Sequence, residues 1–122
     1  MHELGIATEA HRLCRASVPA GHRLVRVELA VGELSAVEPE LLRYAWESVV
    51  EGGPDAACEL VIAWCPARQT CAGCGDIAER VPGSWLKLCP RCGQPLRVEG
   101  GQELDVVRVE AGPAGQAQEN RT

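Results

Sequence analysis

Phenylalanine is absent from the 122 residues, and one tyrosine and three tryptophans supply all the aromatic bulk. A hydrophobic core must therefore be built from Val, Leu, Ile and Ala. Long apolar runs are missing too: the longest, "LVIAWCPA" from Leu60 to Ala67, falls far short of the about 18 residues that a membrane span requires. Glu3, Glu9, Arg12 and Arg15 interrupt the first twenty residues, so no secretory h-region is expected there. Positive charge is sparse. Twelve Lys plus Arg against seventeen Asp plus Glu leave a net charge of -5, which provides no broad field for a phosphate backbone, and neither nucleic acid nor membrane is expected as a partner. No Ser/His/Asp set, P-loop or three-ligand zinc site is visible, so the chain does not read as an enzyme.

Cysteine, by contrast, is plentiful at seven residues. Without an export signal, grouped thiols point to metal ligands in a reducing compartment, with the cytoplasm as the expected location. At 13.1 kDa the chain has room for one domain, or for a small core plus a metal-stapled module.

Hydrophobic periodicity sets out the elements. Ile6, Ala10, Leu13 and Ser17 recur at helical spacing from residue 3 to about 17, and Pro19-Ala20-Gly21 ends the pattern. In "HRLVRVELAVG", Val25, Val27, Leu29 and Val31 alternate with Arg26, Glu28 and Ala30, the period of a strand with one buried face. Leu42, Ala45, Trp46, Val49 and Val50 form the stripe of a second helix, started by Pro39 and stopped by Gly52-Gly53-Pro54. Cys58, Leu60, Ile62 and Trp64 mark a second strand, and Glu103 to Glu110 a third. Between those last two strands, Pro66 to about Gly101 is rich in Cys, Gly, Pro and Arg and has the look of an insertion. The expected fold is α+β: a small three-stranded sheet with two helices on one face, plus an inserted zinc-ribbon-like four-cysteine module. The implied division is a discontinuous α/β domain at 1-66 and 102-111, a metal module at 67-101, and a disordered tail at 112-122.

Within the insert, "CAGCG" at Cys71 to Gly75 is echoed by "CPRCG" at Cys89 to Gly93, with fourteen residues between Cys74 and Cys89. Two thiolates two residues apart can grip one ion while the following glycine relieves the tight turn, and a second such knuckle completes a tetrahedron. Cys71, Cys74, Cys89 and Cys92 would leave no open coordination position, so Zn2+ held there is structural. Metal binding worth roughly 10 to 16 kcal/mol in comparable peptides would supply the folding energy of so small a module. Two further readings stay open on these residues: a rubredoxin-like Fe(Cys)4 electron carrier, and a zinc-ribbon adaptor using Arg68, Arg80, Lys87, Arg91 and Arg97. Cys14, Cys58 and Cys65 fit apolar positions and read as structural thiols. His11 and His22 have no ligand partner near them in sequence.

The chain opens "MHE". A free amine at Met1, the amide nitrogen of His2 and its imidazole can close two adjoining chelate rings in a plane. Glu3 can complete the square through its amide or carboxylate, a donor set suited to Ni2+ or Cu2+. Taken alone, His2 reads as a solvated terminal residue and Glu3 as a favourable first-turn acid.

The initial "MHE", the segment "VEPELLRYAWE", the CxxCG pair inserted before a final strand, and the closing "GQELDVVRVE" together resemble the HypA/HybF family of hydrogenase maturation nickel metallochaperones. The resemblance runs in order from Met1 to Glu110. It implies a carrier that receives Ni2+ at Met1, His2 and Glu3, holds structural Zn2+ at Cys71, Cys74, Cys89 and Cys92, and delivers nickel during assembly of the [NiFe] hydrogenase site. The partners so implied are a nickel-handling GTPase and the hydrogenase large-subunit precursor; homodimer formation and a urease client are left open.

Overall fold

The computed structural model describes residues 3-77, 80-81 and 84-113. Helix α1 spans Glu3–Ala16, strand β1 His22–Gly32, helix α2 Pro39–Val50 and strand β2 Glu59–Cys65. Three short strands follow, β3 (Arg68–Cys71), β4 (Gly75–Asp76) and β5 (Arg97–Glu99), before β6 (Leu104–Pro113). The architecture is the expected α+β one, with β1 at the centre of a three-stranded sheet ordered β2-β1-β6. β1 pairs parallel with β2, which requires the crossover that α2 provides, and antiparallel with β6.

One core serves this half of the chain. Ala7, Ala10 and Cys14 of α1 and Leu42, Ala45, Trp46 and Val50 of α2 pack with Leu24, Val27, Leu29, Val31 and Leu60 of the sheet. The helical stripe of α1 differs from the expected one: small residues face inward, while Leu13 is half exposed and Ser17 lies beyond the helix end. Small side chains permit the close approach of α1 to α2, and Leu13 instead borders an apolar groove against Leu104 and Val106 of β6.

β1 also departs from strict alternation at its start. Leu24 pairs with Ala111 and Arg26 with Glu110, so Val25 is an extra residue bulged out of the ladder, and Leu24 rather than Val25 is buried. A compensating bulge at Val107 separates the pairs Glu28 with Arg108 and Leu29 with Val106. β6 continues to Pro113, two residues into the stretch expected to be a disordered tail; residues 114-122 lie outside the described residues.

The inserted residues build a second sheet, ordered β4-β3-β5, with its own small cluster of Cys71, Ile77 and Cys89. Gln69 at its centre is buried and uses its side chain as a strand would: Nε2 donates to the Leu86 carbonyl at 2.9 Å, and Oε1 accepts from the Leu86 amide at 3.0 Å. Among the described residues, no helix is long and apolar enough to cross a membrane.

Candidate metal centre

Each CxxCG stretch folds as a tight turn that needs its glycine, since Gly75 has φ +84° and Gly93 φ +78°, a region other residues enter at a cost. The turns deliver four sulfurs to one place. The Sγ atoms of Cys71, Cys74, Cys89 and Cys92 all lie within 4.8 Å of one another, and those of Cys71 and Cys92 are 3.5 Å apart. Tetrahedral Zn2+ with Zn–S bonds of about 2.3 Å sets sulfurs about 3.8 Å apart, so the donor set fits that ion. Cys71 and Cys89 are buried and Cys92 exposed, which leaves one side of the cluster open to solvent.

The electrostatics of the four thiols are uneven. The amides of Gly73 and Cys74, with help from Cys92, pull the Cys71 thiol down to about 7. The Arg91 amide likewise lowers Cys89. Hydrogen bonds with Cys92 and Cys89 push Cys74 up to about 12. At Cys92 the Gln94 amide pulls downward, but Cys71, burial and Cys89 outweigh it and the net shift is upward. Two sulfurs are thus shifted toward the thiolate and two away from it, and a bound cation would expel the protons that remain.

Arg91 ties the knuckles together. Its Nη1 donates to the Cys74 carbonyl and its Nη2 to the Asp76 carbonyl, each at 3.3 Å, so the second knuckle grips the backbone of the first. Arg68 is engaged by Asp76 at 3.3 Å and Glu99 at 3.2 Å, and Arg80 by Glu33 at 2.8 Å. Three of the five cations that could have formed a nucleic-acid face are therefore committed within the chain. Cys65 does not join the four-sulfur cluster; its thiol lies 3.5 Å from the Ala63 carbonyl.

At the other expected site, Met1 and His2 lie outside the described residues, and Glu3 opens α1. The Glu3 carboxylate accepts the Glu38 amide at 3.0 Å through Oε2. Glu38 is the N-cap of α2, where its own carboxylate accepts the Glu40 amide at 3.1 Å. The starts of the two helices are thereby tied together, a contact across 35 residues that no local pattern announces.

His11 also acquires a distant partner, because its Nε2 lies 2.8 Å from Oδ2 of the buried Asp55. Asp55 Oδ1 further accepts the Leu24 amide at 2.7 Å and Arg15 at 3.3 Å. This network braces α1 against β1 and is remote in role from metal binding. Cys14 and Cys58 are buried nearby, and burial followed by the Asp55 charge raises both thiols, Cys58 to about 12. Both are buried, as expected from their apolar positions, and a raised thiol is a poor nucleophile.

Residues 1–111 match the family model described as hydrogenase/urease nickel incorporation, metallochaperone, hypA. The chain belongs to the HypA family. It is 32% identical over 111 residues to a hydrogenase maturation factor HypA of Geobacter sulfurreducens, covering 90% of this chain and 98% of that relative. A hydrogenase maturation factor HypA of Chlorobaculum parvum is 34% identical over 109 residues, covering 87% and 95% of the two chains. Among solved structures, the solution structure of the Ni metallochaperone HypA from Helicobacter pylori superposes with a TM-score of 0.57 at 23% identity, covering 90% of this chain and 97% of that one. That likeness is one of fold. The HypA family is a family of metallochaperones, and the four cysteines form a cluster able to hold a metal ion.

Proposed function

We propose that this chain is a non-enzymatic nickel carrier that binds Ni2+ at Met1, His2 and Glu3 and delivers it during maturation of [NiFe] hydrogenase. The family match across residues 1–111 is the observation that carries this reading. The named role of the Geobacter and Chlorobaculum relatives in hydrogenase maturation supports hydrogenase as the client, with urease as the other client named in the family description. Residues 1-66 and 102-111 form the nickel unit and 67-101 the zinc unit, in which Cys71, Cys74, Cys89 and Cys92 hold structural Zn2+. The protein works in the cytoplasm with a nickel-handling GTPase and the large-subunit precursor.

The chemistry of the terminus favours a carrier over a store. An amine, an amide nitrogen and an imidazole make a planar set that accepts Ni2+ and disfavours tetrahedral Zn2+. Such a site at a chain end is open enough to release its ion. The Glu3 carboxylate is anchored on the Glu38 amide, so the residue that completes the site is held at the junction of two helix starts.

Nickel titration by calorimetry and visible absorption tests the proposal, using the untagged chain, a His2→Ala variant and a chain extended by a few residues before Met1. One planar Ni2+ bound only by the untagged wild type is the expected result. Equal binding by all three would overturn the N-terminal site.

A further inference from the structure

A largely shielded ion pair joins the end of β1 to the residues between the two knuckles. Arg80, in the loop between the two knuckles, is 6% exposed and Glu33, just past the end of β1, is 10% exposed. The pairing is a fork: Arg80 Nη2 donates to Glu33 Oε1 at 2.8 Å and Nη1 to Oε2 at 3.2 Å. Both partners have further duties. Glu33 Oε1 accepts the Ala67 amide at 2.9 Å, at the point where the chain leaves the first sheet for the four-cysteine residues. Arg80 donates to the Ala67 carbonyl at 2.6 Å and the Ser84 carbonyl at 2.8 Å, and its guanidinium lies 4.5 Å from the centre of the Trp85 ring.

The return path is held at the same turn. The Leu34 amide donates to the Gly101 carbonyl at 2.6 Å, and the Gly32 amide to the Glu103 carbonyl at 2.7 Å. The outgoing strand, the returning strand and the inter-knuckle loop all converge on residues 32-34.

This turn leads directly to Glu38. Ser35 closes it with its amide 3.0 Å and its hydroxyl 2.8 Å from the Gly32 carbonyl, and Ser35 Oγ accepts the Val37 amide at 3.3 Å. Val37 is buried in the main core, and the next amide, that of Glu38, is the one the Glu3 carboxylate accepts. One short, internally braced segment therefore touches Ala67, Arg80 and Gly101 of the inserted residues at one end and Glu3 at the other.

We infer that Glu33 and Arg80 are positioning residues: their ion pair clamps the four-cysteine module to the 32-38 segment, so that the module and the anchor of the N-terminal nickel site move as one body. The link to nickel rests on the proposed N-terminal site; the clamp itself does not. A charged fork in a nearly dry setting is suited to such a task, because it holds one geometry and tolerates no sliding.

The test uses the zinc-loaded full chain and the variants Glu33→Gln, Arg80→Ala and Arg80→Lys, with zinc content confirmed for each. Backbone 15N relaxation reads the rotational correlation time of the first sheet and of the four-cysteine module separately, and calorimetry reads nickel affinity. The wild type is expected to show one common correlation time. Arg80→Ala and Glu33→Gln lose it, the module amides tumbling faster than the sheet, and nickel affinity falls about tenfold, the scale of losing an outer hydrogen-bond partner of a metal ligand. Arg80→Lys, which keeps the charge without the fork, falls between. A role in fold stability alone would shift melting and leave the common tumbling in place. Retention of one correlation time in both disruptive variants overturns the clamp. Separate tumbling with nickel affinity within about twofold of wild type overturns its link to the nickel anchor. A wild type that binds no nickel at its terminus refutes the proposed carrier site and the link to it, while the relaxation comparison still decides the clamp.

Discussion

The Nε2 of His11 on α1 lies 2.8 Å from Oδ2 of Asp55, a side chain only 2% exposed. Asp55 is thus the acceptor for an imidazole, a guanidinium and the buried Leu24 amide at once. Replacing it with alanine strands all three donors, and removal of one partner from a buried charged network costs about 3 kcal/mol or more. Asp55→Asn keeps an acceptor for Leu24 and loses about 1 kcal/mol. Urea unfolding of the zinc-loaded protein checks both values; equal losses would mean that the carboxylate charge carries the brace.

Much of this architecture was legible in the sequence and some was not, and the division follows contact distance. The two knuckles were readable because all the information for each lies within five residues, down to the glycine that reaches positive φ. The limits of α2 were readable from Pro39 at one end and Gly52 at the other. Periodicity points to Leu13 on the inward face of α1 because it registers side-chain size, whereas close helix packing selects the small Ala7 and Ala10. Alternation puts Val25 inward because a bulge leaves no periodic trace until strand pairing is known. The pairs Glu33 with Arg80 and His11 with Asp55 span 47 and 44 positions, so spacing could not reveal them.

Substituting Cys89 separates the two halves energetically. The variant Cys89→Ala removes one of four sulfurs from a module whose own cluster, among the described residues, buries only Cys71, Ile77 and Cys89. The expected outcome is loss of bound zinc and unfolding of the module, with α1, α2 and the β2-β1-β6 sheet preserved, because their core shares no buried residue with it. Metal analysis with far-ultraviolet circular dichroism reads both parts. Complete loss of the helical signal would contradict this independence.

Cys58 gives the fold an alkaline limit. Burial, and then the Asp55 charge, raise its thiol from the ordinary 9.0 to about 12 in the folded chain. An unfolded chain releases that proton first, so the contribution to stability is complete below about pH 9 and is lost as pH rises toward and through 12. The difference in urea midpoint between wild type and Cys58→Ala should accordingly shrink as pH climbs above 9. Iodoacetamide at pH 8 should leave Cys58 and Cys14 unlabelled in the folded protein. Rapid labelling of either would place it at the surface.

Gly101 sits where three chain segments cross, and two independent constraints act on it. Its φ of +83° disfavours any side chain, and an added Cβ would lie 2.5 Å from that of Ala67. Its carbonyl is the acceptor for Leu34, and a Cβ on Gly32 would overlap it, so the backbone cannot retreat without breaking the turn that follows β1. Gly52 offers the control, since it shares the positive φ, at +76°, but has no atom within 4 Å of an added Cβ. Gly52→Ala should cost about 1 to 2 kcal/mol, the penalty of the left-handed conformation alone. Gly101→Ala should cost about 2 to 4 kcal/mol, because crowding adds to the same conformational cost. Chemical denaturation of the two variants in parallel measures the difference. Equal values would show that Ala67 and its strand yield readily, and that the crossing is a looser junction than its hydrogen bonds imply.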